Sequence, residues 1–269
     1  LGDVYKRQIK YVLLLIKCYL CYNNFMFDWS AKEKIILPIM IVFLLIFAVG
    51  ICLLTRNKSE RIKRLPLFII TIILLILEVV KQIYNICIGY NFWAIPLHFC
   101  SLFMFFYSFS NFGKGKLKRF GDIMTVCCTF LVIVLFYLNP SNIIGESCEN
   151  VFANFSNFHT FTYHHLLFLY YFIFLGSNLI VAKFSDLIYI IIGISSYAVV
   201  AITFAFSLNV NFCSILHNSF APLEAIRTAC GNIVYLICLF AVGILASCAV
   251  YIVFTILNRK INIGKIKEP

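Results

Sequence analysis

The sequence predicts an all-α, polytopic membrane bundle of about seven transmembrane helices, with the N-terminus outside and the C-terminus cytoplasmic. Three observations carry this. The 269 residues are 62% hydrophobic and 12% charged, whereas a soluble domain of that length needs far more polar surface. Seven segments have the length and composition of spans, about 20 residues for a hydrocarbon core ~30 Å thick. Lysines and arginines also collect in alternate loops, the positive-inside asymmetry.

The spans fall at residues 35–54, 65–87, 95–110, 120–138, 165–182, 187–208 and 232–257. The first is an uncharged run closed by Arg56, and the second follows Arg61, Lys63 and Arg64. The third is short and begins at Pro96, which suits a first helical turn because it has no N–H to leave unpaired. The fourth follows Lys114–Arg119 and ends before Asn139-Pro140-Ser141-Asn142, a turn sequence. His164 and His165 open the fifth, which Lys183 separates from the sixth. Asn209 and Asn211 follow the sixth, and Arg259 and Lys260 close the seventh. Residues 26–269 read as one integral membrane domain. Residues 1–25 read as a non-native or disordered extension: Leu1–Gln8 looks like adapter read-through, and the apolar run from Tyr11 to Tyr22 is too short to span.

The net charge of +11 does not point to nucleic acid, because it lies in the loops of one membrane side. The opposite loops, 88–94 and 139–164, hold no Lys or Arg, and 209–231 holds only Arg227. Lys32 and Lys34 are the discordant pair. Anionic lipid headgroups are the fitting partner for such charge. Most of the twelve cysteines lie inside spans as small packing residues. Cys148 and Cys213 fall in outer loops and can pair in an oxidising compartment.

Ionisable groups at membrane depth are expensive and suggest function. All five histidines fall on the outer side: His98 opens span three, His159, His164 and His165 lie in or at the end of the 139–164 loop, and His217 follows span six. Glu78 and Lys81 lie ~20 and ~24 Å along span two, three apart and able to pair. Cys100, in the first turn of a helix beginning at Pro96, feels the positive end of the macrodipole, which favours a thiolate. It is either a nucleophile that takes an acyl group or a packed side chain. Its base comes from another span, with His164 or His165 at the same height, because His98 points about 200° away on a helix. No zinc-type Cys/His spacing is present, and span seven holds no His, Asp or Glu. No metal site and no cofactor is expected.

The segment Ile95-Pro96-Leu97-His98-Phe99-Cys100, with Glu78 and Lys81 before it and Leu138-Asn139-Pro140, His165, Asn209 and Asn211 after it, resembles the YwaF-like integral membrane proteins of bacteria, related to eukaryotic transmembrane protein 164. The resemblance runs from about Glu78 to Gly231. It implies a cysteine-dependent transfer of a fatty acyl chain between glycerophospholipids, as in the eukaryotic relative. There the active cysteine directly precedes the histidine; here that position is Leu97, so Cys100 does not inherit the role by position.

The resulting expectation is a multi-pass protein of the cell membrane that transfers or hydrolyses acyl groups of membrane phospholipids. His98 and His165 form its acid/base pair, with His164 beside them and Cys100 as nucleophile. Glu78, Lys81, Asn209 and Asn211 contact the substrate. The alternatives are a transporter or channel for a small polar solute, and a non-enzymatic sensor or scaffold. The oligomeric state stays open.

Overall fold

A computed structural model describes residues 29–266; the expected extension over 1–25 lies outside the described residues. The helices are α1 (Glu33–Thr55), α2 (Glu60–Ile88), α3 (Phe103–Phe112), α4 (Gly115–Leu138), α5 (Pro140–Ile144), α6 (Phe155–Gly176), α7 (Leu187–Leu208), α8 (Ala221–Cys230) and α9 (Asn232–Ile266). Short 3-10 turns lie between several of them, and no strand occurs among the described residues.

Five stretches are long and apolar enough to cross a membrane: Glu33–Thr55, Glu60–Ile88, Gly115–Leu138, Phe184–Leu208 and Asn232–Arg259. The chain is therefore a multi-pass helical membrane protein. The other two expected spans differ from expectation. The third becomes the shorter apolar helix Phe99–Phe112, about 21 Å long, because the chain before it is bent. Asn91 caps a 3-10 turn by accepting from the N–H of Trp93, and Leu97 N–H bonds back to Ile95. The fifth begins at Phe155 rather than at 165, since the Asn154 side chain accepts from the N–H of Asn157 and caps the helix there. His159 thereby moves from the loop into α6, His164 and His165 move from the expected start of the helix to its middle, and the polar first half of α6 keeps it outside the five apolar stretches.

α4 and α6 form the interior. In α4, 61% of the apolar window is buried, against 17% in α1 and 11% in α9, whose outward isoleucines, leucines and phenylalanines are the lipid-facing surface. α6 packs against α1, α2 and α4. It buries Leu167, Phe168, Tyr170, Ile173 and Phe174 completely. The Tyr107 ring of α3 stacks on Tyr170 at 3.6 Å. α3 and α4 approach so closely that a Cβ on Gly121 would stand 2.4 Å from the Ser110 nitrogen.

The two ends of the bundle are fastened differently. At the basic end, Arg64 bonds Glu60 at 2.9 Å and reaches Asp122 at 3.4 Å. Ser110 donates to Asp122 at 2.5 Å. Arg119 pairs with Asp186, which also accepts from the Tyr251 hydroxyl and the Lys183 N–H, so α4, α9 and the turn before α7 are tied at one carboxylate. At the histidine end, the Trp29 indole donates to the Tyr137 carbonyl, and Ser30 with Glu33 forms a reciprocal cap for α1. The discordant Lys32 donates to the Glu149 carbonyl. Cys148 and Cys213 are both free thiols, which corrects the disulfide option. Cys148 is buried in the main core and Cys213 lies against Tyr197 in a separate loop.

Candidate functional site

The site begins on the last turns of α2. Lys81 Nζ lies 2.8 Å from Glu78 Oε1, with side chains only 16% and 7% exposed. The Gln82 amide donates to that same oxygen at 2.7 Å and to the Ala94 carbonyl at 2.8 Å, and the Tyr90 hydroxyl donates to Gln82. Gln82 therefore holds the ion pair with one hand and the bent segment before His98 with the other. Glu78 Oε2 is buried and has no hydrogen-bond partner among the described residues.

His98 stands at the N-cap of the 3-10 turn Phe99–Leu102, in extended conformation. Its Nε2 lies 3.2 Å from the Trp93 carbonyl. A carbonyl only accepts, so Nε2 carries the proton and Nδ1 is a bare base. The ring rests between Trp93 at 4.2 Å and Phe212 at 5.2 Å. The helix therefore starts after His98 and not at Pro96. Cys100 lies in the first turn of the continuous helix Phe99–Phe112, at the positive end of its aligned peptides.

Gln82 thus ties the Glu78–Lys81 pair to a carbonyl four residues before His98 and six before Cys100. His159 and Tyr163, one turn apart, lie on α6, which packs against α2. His164 and His165 donate from Nδ1 to the Thr160 and Phe161 carbonyls at 2.8 and 2.7 Å. Each therefore presents a bare Nε2 that is buried without a partner among the described residues. His165 packs among Phe136, Phe161 and Phe168, on a different face of α6 from His159.

Asn209 is the left-handed C-cap of α7. Asn211 accepts from the N–H groups of Leu216 and His217 and donates to the His217 carbonyl, so its side chain builds the loop. In that loop, burial pushes the Cys213 thiol up to about 12. Cys148, in the 139–154 connection, is pushed up to about 11 by burial and by Glu33 and Glu149. On α8 the side-chain hydrogen bond from Arg227, with the Asn218 N–H, holds Glu224 down at about 2. Among the described residues, no group of three or more His, Cys, Asp or Glu is placed to hold a metal ion.

Sequence reasoning missed Gln82, Tyr163 and Tyr197, and it placed His159 and Cys213 in outer loops without giving them a part in the site. Gln82 had a signal, being four residues after Glu78 on one helix face. His159 had one in the Asn154-x-x-Asn157 cap, which extends α6 back beyond it. The TMEM164 family model matches residues 26–252. The chain belongs to the TMEM164 family. No curated protein and no solved structure matches it. Every residue of the site lies inside the TMEM164 match, so the convergence of α2, the His98 segment and α6 falls within the part of the chain that defines the family.

Proposed function

We propose that this TMEM164-family chain acts in the cell membrane on phospholipid esters, transferring an acyl group to a lysophospholipid or to water. The observation that carries the reading is the buried Glu78–Lys81 pair, which Gln82 ties to the Ala94 carbonyl of the segment that bears His98 and Cys100. Lys81, held by Glu78, draws in the phosphodiester of a headgroup. The Cys100 proton passes to a bare imidazole nitrogen and the sulfur attacks the ester carbonyl carbon. The C–O bond breaks, the lysophospholipid oxygen leaves with that proton, and a thioester remains on Cys100. A second lysophospholipid hydroxyl, or water, gives its proton to the same imidazole and takes the acyl group, restoring the thiol. His164 and His165 stand further along α6 as additional proton acceptors, while Asn209 and Asn211 shape the loop that covers the site.

The test is acyl exchange. Purified protein receives a labelled phospholipid donor and an unlabelled lysophospholipid, beside a His98→Ala variant. Label reaching the acceptor or free fatty acid with wild type, and at least about 100-fold less with the variant, supports the reading. Equal turnover by both proteins overturns it.

A second reading, passage of a small polar solute, has its own support. Arg64, Asp122, Ser110 and Tyr170 form a hydrogen-bonded line running inward from the basic end, and Asn111 links it to Thr71 on α2. Uptake into proteoliposomes that depends on Glu78 and Asp122, without acyl transfer, would favour this reading.

A further inference from the structure

The segment that carries His98 and Cys100 has little regular structure of its own. Between Ala94 and Phe99 the chain bends, and the Leu97 carbonyl, directly before His98, makes no helical bond. Two side chains from a distant part of the chain take it instead. The Tyr197 hydroxyl of α7 donates to that carbonyl at 2.7 Å, and Cys213 Sγ approaches the same oxygen at 3.7 Å. Cys213 also bonds Tyr197. The phenol and the thiol therefore both donate toward the one carbonyl oxygen while lying against each other.

The other half of this contact is under strain. Cys213 and Ser214 both have positive φ, 49° and 61°, a region that side chains other than glycine rarely adopt. Two consecutive such residues persist only where the surroundings over-determine them. Here the Tyr235 hydroxyl of α9 holds the Ser214 carbonyl, Asn211 staples the loop from within, and Phe212 lies fully buried against the His98 ring. The loop touches the His98 segment twice, at the imidazole and at the carbonyl beside it.

We propose that Tyr197 is a positioning residue that fixes the segment bearing His98 and Cys100 through the Leu97 carbonyl, with Cys213 packed against the phenol. The strained loop is the device that keeps the thiol in place. For its effect on turnover this inference rests on the acyl-transfer reading, so its test has a second readout that does not. Site-resolved alkylation of Cys100 by a small maleimide, followed by mass spectrometry of its peptide, reports the freedom of the segment directly. Cys148, buried in the 139–154 connection, is the internal standard.

In Tyr197→Phe the Cys100 alkylation rate rises at least about threefold relative to Cys148, while kcat for acyl exchange falls about tenfold with KM within about twofold, the pattern of misplaced reacting groups. Cys213→Ser, which keeps a donor toward the carbonyl, stays near wild type in both readouts. Tyr189→Phe, at the other end of α7, controls for loss of a hydroxyl elsewhere. Unchanged Cys100 alkylation in Tyr197→Phe overturns the proposal, and so does raised alkylation with unchanged kcat. Should wild type transfer no acyl group, the function fails and the alkylation result alone decides whether the latch exists.

Discussion

Replacing Lys81 by Met tests whether the Glu78–Lys81 pair is a buried electrostatic unit. The two side chains are 16% and 7% exposed, too little for water to take over the lost charge. Glu78 Oε1 would keep the Gln82 amide at 2.7 Å, and Oε2 would remain without a partner. Breaking one side of such a pair costs about 3–5 kcal/mol, because the remaining charge is uncompensated, whereas neutralising both partners costs much less. Adding Glu78→Gln keeps an acceptor for Gln82 and removes the orphaned charge. The double variant should therefore recover about 2 kcal/mol of what Lys81→Met loses. The assay is unfolding in mixed detergent micelles, followed by Trp93 fluorescence in a Trp29→Phe background, for the parent, both single variants and the double. Trp93 reports locally because its ring lies 4.2 Å from His98. A coupling below about 0.5 kcal/mol, the ordinary value for an exposed pair, would show that water reaches both groups and that the argument from burial is wrong.

Two further outcomes are expected. Gly121→Ala forces a Cβ to within 2.4 Å of the Ser110 nitrogen and 2.6 Å of the Phe106 carbonyl. It should therefore part α3 from α4 and cost at least about 1–3 kcal/mol, read as a lower melting temperature in detergent. Glu224, held at about 2, lies below its unfolded value near ~4.3. Its contribution is thus fully present above that value and is lost as pH falls toward 2. The protection factor of the Asn218 amide, which donates to Glu224 at 2.9 Å, should fall as pH drops through that window and stay constant above about pH 5.

The bundle was legible where a helix faces lipid, because there one solvent selects one kind of side chain over a whole span. The expected bounds of the sixth span, 187–208, coincide with α7, and α1 is off by a residue or two. Legibility failed where helices face protein. α6 is wrapped by α1, α2 and α4, so histidine, asparagine and threonine are tolerated in it, and its first ten residues read as loop. The third span failed for another reason: its start is set by a backbone bend held by Gln82, Asn91 and Tyr197, contacts that span as many as 100 residues. At the site, Glu78 and Lys81 could be paired from their spacing alone. The tie from Glu78 through Gln82 to the Ala94 carbonyl, and the different faces of α6 that carry His159 and His165, follow only from packing.

The polar first half of α6 also bears on how the protein is made. A segment bearing Asn157, His159, Thr160, Thr162, His164 and His165 does not partition into hydrocarbon by itself, yet it ends up at the centre of the assembly. It becomes a membrane helix only beside neighbours that already shield it, and α1, α2 and α4 all precede it on the ribosome. The helices packed against it are thus all made before it.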